Sequence, residues 1–154
     1  MGLLGLRPAT PDDAALLARW HADPDVSRYW DGETFTEDEV HARLARERVD
    51  AYVIEEDGEP VGYLQAWWEP DEPRRGGIDG FLIPDARGRG IMPAVARGLA
   101  ERLLAEGWRS VTVDPYAWNE RALRGWANAG FVEVSRHPAD EDHSSEWVLM
   151  RFGG

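Results

Sequence analysis

The chain predicts an α+β fold in one domain spanning residues 1–154. Three observations carry this reading. A length of 154 residues with 43% hydrophobic content is enough for one continuous core and hardly for two. A hairpin signature stands in the first half, and helical periodicity alternates with short apolar runs in the second. Together these imply a mostly antiparallel sheet with one or two helical crossovers.

The elements follow in order. Residues 3–7 read as a short strand, and TPDD at 10–13 starts a helix whose apolar positions Ala14, Leu17, Ala18 and Trp20 recur at roughly helical spacing. TFTEDEVHARLARER opens a second helix, with Thr36 and Glu39 spaced as a capping box. AYVIEEDGEPVGYLQAWWE is a hairpin turning through Asp57-Gly58, a pair that tolerates positive φ. A further strand, GIDGFLIP, leads into DARGRGIMPAV at 85–95, after which Val95, Leu99 and Leu103 share one face of a helix ending near Gly107. SVTVD is a strand, NERALRGWANAG a helix closed by Gly130, and strands are expected near 131–136 and 146–152.

Composition removes several kinds of chemistry. The chain has no cysteine, and its four histidines lack zinc-protease spacing, so redox and metal chemistry are not expected. Lysine is absent and the net charge is −12. A field of that sign repels nucleic acid and attracts small cations, although acidity by itself only favours solubility. A phosphate loop of the GxxxxGK[ST] kind is excluded for want of its lysine. The opening MGLLGL has neither a basic leader nor a membrane-length apolar run, so a cytoplasmic protein with no membrane partner is expected.

The segment DARGRGIMPAV raises the chemical question. Its helix starts without a capping side chain, because Ile91 and Met92 cannot accept hydrogen bonds from first-turn amides. Gly88 and Gly90 let backbone approach an anion, Arg87 and Arg89 add charge, and Pro93 suits a first helical turn. A solvated surface loop and a dinucleotide fingerprint are the alternatives. The second is weakened because Pro93 fills the third glycine position.

With Arg87, Gly90 and Met92 in the places of [QR]-x-x-G-x-[GA], this loop resembles the coenzyme A pyrophosphate loop of the GCN5-related N-acetyltransferases (GNAT), departing at Met92. GGIDGFL at 76–82 and VDPYAWNERALRGWANAGF at 113–131 resemble the aminoglycoside 6′-N-acetyltransferases within that family. HADPDVSRYWDG at 21–32 is similar to the same subgroup and to siderophore-biosynthetic acyltransferases.

The resemblance implies a mixed, mostly antiparallel sheet splayed between its fourth and fifth strands and flanked by about four helices. It implies acetyl-CoA as cosubstrate, with no metal. Phe81, Leu82 and Ile83 would receive the pantetheine arm on their backbone. Arg87, Gly88, Arg89, Gly90, Ile91 and Met92 would hold the pyrophosphate, and Asn119 would lie near the thiol, although it also suits an N-cap. The acceptor would be a small, polycationic amine, and the protein a monomer or homodimer.

Removing a proton from an arriving ammonium group needs a carboxylate within reach. Asp79, inside an otherwise apolar strand, is the expected base, against the alternative of a structural pair with Arg74 or Arg75. Asp114 would bind an ammonium group of the acceptor, or else simply begin an Asp-Pro turn. Tyr29, Trp30, Asp31, Trp67 and Tyr116 are expected around the acceptor, with Trp68 and Trp118 as further walls, since aromatic faces between acids suit a cationic sugar. Of the flanking acids Glu33, Glu69, Asp71 and Glu72, most are expected to be solvated.

Trp126 stands where many family members carry the tyrosine that protonates the leaving thiolate, and its spacing from Ala122 and Leu123 assigns it to the core. Tyr116 is the nearest alternative acid. Trp20, Trp108 and Trp147 are assigned to packing, and His21 and His143 to structural or exposed positions. Acylation of another amine (a siderophore hydroxylysine, a polyamine or a protein N-terminus) competes with the aminoglycoside reading. So does a non-catalytic module that binds acetyl-CoA or an antibiotic.

Overall fold

A computed structural model describes residues 2–30 and 32–153. Seven strands occur among them, in the order β1-β2-β3-β4-β5-β7-β6: β1 Leu4–Pro8, β2 Val49–Glu56, β3 Glu59–Trp68, β4 Arg75–Leu82, β5 Ser110–Val113, β6 Phe131–His137 and β7 Trp147–Phe152. Five α-helices accompany them: α1 Ala14–His21, α2 Pro24–Ser27, α3 Glu37–Leu44, α4 Ile91–Ala105 and α5 Glu120–Ala129. The sheet is mixed, being parallel between β4 and β5 and antiparallel in the β1/β2, β2/β3, β5/β7 and β6/β7 pairs. The β4/β5 ladder runs only from Arg75↔Ser110 to Gly77↔Thr112, so β4 continues five residues past its last β5 partner. By residue contacts the chain divides into two compact units, residues 1–67 with 80–91 and residues 68–79 with 92–154.

In the first unit the β2/β3 hairpin forms as the sequence predicts. Asp57 and Gly58 take φ of 52° and 84°, the twist that lets a two-residue loop join strands. The capping box at α3 is present: Thr36 Oγ1 accepts from the Glu39 amide at 3.2 Å, and Glu39 Oε1 accepts from the Thr36 amide at 3.1 Å. At TPDD a 3-10 turn, Pro11–Asp13, precedes α1. It is fixed by buried Asp13, which accepts two 2.8 Å hydrogen bonds from Arg7 and one of 2.8 Å from the Thr10 amide. The Arg7 guanidinium holds the Asp13 carboxyl below its ordinary range despite burial.

Helix α2 was not anticipated. It is a single turn capped by Asp23, whose side chain accepts from the Asp25 amide at 2.9 Å. The core of this unit joins Ala14, Leu17, Val26, Val40, Tyr63 and Phe81. Strands β3 and β4 approach so closely that a Cβ on Gly62 would lie 2.5 Å from the Phe81 carbonyl oxygen.

In the second unit α4 buries Val95, Leu99 and Leu103, as its periodicity predicts. It begins at Ile91, two residues before Pro93. Strand β4 begins at Arg75 instead of Gly77, because the Arg75 carbonyl accepts from the Glu69 amide at 3.0 Å and the ladder to β5 starts there. Helix α5 is capped by Asn119, whose side chain accepts from the Ala122 amide at 3.2 Å, and it ends at left-handed Gly130.

Candidate active site

The 85–91 segment has the backbone that its glycines predict. A 3-10 turn over Pro84–Ala86 ends β4's exit, and Gly88 and Gly90 then take φ of 79° and 76° before α4 starts at Ile91. A Cβ built at either glycine meets nothing within 4 Å, so bare backbone faces open space just ahead of a fifteen-residue helix. That arrangement leaves room for a diphosphate against the backbone, at the positive end of a helix dipole.

The two arginines are engaged inside the protein. Arg87 donates to the Asp25 carbonyl at 2.6 Å and to the Leu82 carbonyl at 3.3 Å, and its guanidinium lies 5.4 Å from the Tyr29 ring centre. Arg89 donates to both carboxylate oxygens of Glu56 at 2.8 Å. Both arginines therefore help to fix the loop's shape, and Arg89 remains partly exposed beside its glycines. Ile91 is buried, and Met92 is partly buried in the first turn of α4.

Phe81 and Leu82 are buried, and the Ile83 amide donates to the Val61 carbonyl at 3.0 Å. Phe81 belongs to an aromatic cluster with Trp20, His21, Trp30 and Tyr63, at ring separations of 5.0–6.1 Å from it. Trp30 is thus a packing residue as well as an expected acceptor contact. His21 is buried, its Nδ1 has no hydrogen-bond partner among the described residues, and burial, helped by the charge of Arg43, pushes its pKa down to about 4. A cavity of about 20 Å³ lies among His21, Trp30, Phe35, Tyr63 and Gln65. Trp67 is half-buried on β3 opposite Val49. Asp31 lies outside the described residues.

In the second unit Asp79 is half-buried on β4. The arginines weighed as its structural partners point elsewhere: Arg75 bonds Asp71 at 2.7 Å, and Arg74 lies 4.4 Å from the Trp68 ring centre. Asp71 is thereby committed, and Trp68 packs edge-on against buried Trp108 at 5.9 Å. Trp126 is buried and meets Phe131 at 5.6 Å, the packing role read from its spacing. Asn119 spends its side-chain oxygen on the α5 cap.

Asp114 follows β5 and accepts from His143 Nε2 at 2.7 Å. His143 is half-buried and held by its neighbours, the structural one of the two positions expected for it. Its Nδ1 meets Asp140 Oδ1 at 2.8 Å, and its ring stacks on Trp147 at 4.2 Å. Burial opposes the charged ring, but the hydrogen bonds to Asp114 and Asp140 outweigh it and hold His143 above the ordinary histidine range. Trp147 packs, as read from the sequence, against the rings of His137 and His143, and its indole N–H donates to Asp140 at 3.0 Å. Tyr116 stands 6.1 Å from His143, stacks on half-exposed Trp118 at 5.8 Å, and accepts from the Ser144 amide at 3.1 Å. The structure thus joins Asp114 and Tyr116 through a loop that sequence reasoning passed over. The available signal was the Asp140-x-x-His143 spacing, which lets one side chain orient the other.

Among the described residues no group of acids and histidines could hold a metal, and no helix is long and apolar enough to cross a membrane. Comparison with known proteins then identifies the arrangement. Residues 9–138 match the acetyltransferase (GNAT) domain family. Aminoglycoside N(6')-acetyltransferase type 1 of Klebsiella pneumoniae is 31% identical over 145 residues, covering 82% of this chain and 72% of that protein. Two structures of AAC(6')-Ib, one with acetyl-CoA and one with ribostamycin and coenzyme A, superpose at TM-score 0.83 and 29% identity, over 97% of this chain and 92% of theirs. The open glycine turn ahead of α4, the β4/β5 crossover and these matches agree that the chain belongs to the GNAT acetyltransferase family.

Proposed function

We propose that this protein transfers acetyl from acetyl-CoA to a primary amine of a small polycation, the 6′-amine of an aminoglycoside. The observation that carries the reading is the left-handed Gly88/Gly90 turn, whose bare backbone faces open space before α4. Its support in kinship is the likeness to aminoglycoside N(6')-acetyltransferase and to AAC(6')-Ib holding acetyl-CoA. The family match spans residues of both compact units, which favours one catalytic domain; we take it to work in the cytoplasm as a monomer or homodimer.

In this reading the peptide groups of 87–92 receive the pyrophosphate, and the backbone of Phe81–Ile83 receives the pantetheine arm. Arg87 and Arg89 hold the loop through Asp25 and Glu56 instead of carrying most of the phosphate charge. Asp79 takes a proton from the acceptor ammonium, directly or through one water. The freed lone pair attacks the thioester carbonyl, the C–N bond forms, and the C–S bond breaks as the tetrahedral oxyanion collapses. Coenzyme A leaves as thiolate, and the second proton of the attacking nitrogen, which must depart for the amide to form, passes to it through water or Tyr116, since buried Trp126 offers no practical acid. No acyl-cysteine can form, because the chain has no cysteine. Asp114 and Tyr116 contact the acceptor.

Thiol release from acetyl-CoA, followed with a panel of an aminoglycoside, a polyamine, a hydroxylamine and a peptide N-terminus, tests the proposal. Release with the aminoglycoside, at a rate cut about 10²–10⁴-fold by Asp79→Asn, supports it. Release with the hydroxylamine alone, indifferent to Asp79→Asn, moves the chain to siderophore-type acylation. Binding of both ligands without thiol release makes it a non-catalytic module.

A further inference from the structure

We infer that the His143 imidazolium occupies the place at Asp114 that an acceptor ammonium group must take, so that His143 sets the pH dependence of acceptor binding. The inference deepens the proposed function and rests on it. Its ground is geometric. Both ring nitrogens of His143 are committed to carboxylates, Nε2 to Asp114 at 2.7 Å and Nδ1 to Asp140 at 2.8 Å. A neutral imidazole has one N–H and can donate to only one of them, whereas the imidazolium donates to both. The ring lies flat on Trp147 at 4.2 Å with Tyr116 edge-on at 6.1 Å, the surroundings an organic cation would find attractive.

The loop is built to hold the ring there. Asp140 also accepts from the Trp147 indole at 3.0 Å and from the Asp142 amide at 3.0 Å, and the Asp140 amide donates to the His143 carbonyl at 3.0 Å. The pair thus makes a cation seat that is filled from within the chain. Asp114 itself is over a third exposed at its side chain, so an incoming ammonium can reach it while His143, at 13%, is largely covered.

The other charged and titratable groups nearby leave this pairing in control. His137 stacks on the far face of Trp147 and its Nε2 meets Ser135 Oγ at 2.7 Å. Arg136 is engaged by Glu133 at 2.7 Å and lies 3.8 Å from Glu146. Glu141 and Asp142 are exposed on the same loop, and Tyr116 presents its hydroxyl to Ser144. The excess of carboxylates favours the cationic ring, which agrees with the upward displacement of His143 from its ordinary range.

The sign follows. At low pH an acceptor ammonium competes with an imidazolium already seated on Asp114. As pH rises through the His143 titration the ring becomes neutral, Asp114 is released, and the acceptor binds more tightly until its own amines lose their charge. One ion pair exchanged for another predicts about tenfold weaker binding at pH 6 than at pH 8.

The test is calorimetric titration of kanamycin into wild type and His143→Gln at pH 6 and pH 8, with the His143 ring proton followed by NMR. Gln keeps a donor toward Asp114 but carries no charge at any pH. The inference expects wild type to show the pH step, His143→Gln to bind at pH 6 about as tightly as wild type at pH 8, and bound kanamycin to lower the His143 pKa. The same pH step in His143→Gln, or kanamycin binding that leaves the His143 titration unmoved, overturns the inference and leaves the acetyltransferase reading standing. No kanamycin binding at either pH, with no thiol release from the amine panel, overturns both.

Discussion

Replacing Gly90 separates what the loop needs for folding from what it needs for its ligand. Gly90 has φ of 76°, and a Cβ there meets nothing within 4 Å, so Gly90→Ala creates no clash inside the protein. Its stability cost is the left-handed backbone of an alanine, about 1–2 kcal/mol. At roughly 2–4 °C per kcal/mol for a chain of this size, Tm should fall by about 2–8 °C. The same methyl intrudes on the open side of the backbone where the pyrophosphate is proposed to lie. Losing one charge-assisted contact there, at roughly 1.5–3 kcal/mol, weakens coenzyme A by about 10- to 150-fold.

Gly90→Asn sharpens the comparison, because asparagine tolerates the left-handed region while still carrying a side chain. It should recover most of the lost Tm and little of the lost affinity. Arg89→Ala gives the converse: the arginine is a partly exposed partner of Glu56, its charge is screened by solvent, and coenzyme A should weaken no more than about fivefold. Calorimetric titration of coenzyme A, with thermal melts of each variant, provides both readouts. Wild-type affinity in Gly90→Asn, or an Arg89→Ala loss larger than that of Gly90→Ala, would refute a phosphate grip made by peptide groups.

Three further outcomes are expected. Asp13→Ala removes two Arg7 hydrogen bonds and the acceptor of the Thr10 amide but leaves Arg7 partly in solvent and paired with Glu55, so it should cost about 1–3 kcal/mol in urea unfolding, and because the Asp13 pKa is lowered on folding, its contribution is present above the ordinary aspartate range and fades as pH falls through the folded value. Gly62→Ala forces a Cβ against the Phe81 carbonyl and should destabilise by about 1–3 kcal/mol while also weakening coenzyme A, since Phe81–Ile83 must shift; a variant as stable as wild type would contradict the close approach. Trp126→Phe should keep kcat within about threefold and lose stability, as expected of a core residue; a rate loss beyond about a hundredfold at unchanged stability would make the indole a participant in the chemistry.

The readable parts of this chain were those decided locally. The Asp57-Gly58 turn, the Thr36/Glu39 box and the apolar stripe of α4 each depend on residues within a few positions of one another, and each forms as read. Helix α2 escaped notice because a single turn has too few positions to display periodicity. The start of β4 was misjudged because Arg75 is recruited by Glu69 and Ser110, neither visible from the strand's own composition.

At the candidate site the backbone was legible and the side chains less so. Positive φ at Gly88 and Gly90 followed from residue type, but Asp25, which holds Arg87, and Glu56, which holds Arg89, lie 62 and 33 residues away. Likewise Asp114 was singled out, while its pairing with His143, 29 residues on, was not seen. Pairings set by tertiary structure have no sequence period, and these were the ones missed.

The account's central claim is acetyl transfer from coenzyme A to a polycationic amine with Asp79 as base. It is tested most directly by quantifying thiol and acetylated acceptor together in one reaction of acetyl-CoA and kanamycin, for wild type and Asp79→Asn. The account predicts equimolar coenzyme A thiol and N-acetyl-kanamycin, with both rates reduced in parallel in Asp79→Asn while coenzyme A still binds. Thiol released without acetylated product, or equal rates in the two proteins, would contradict it.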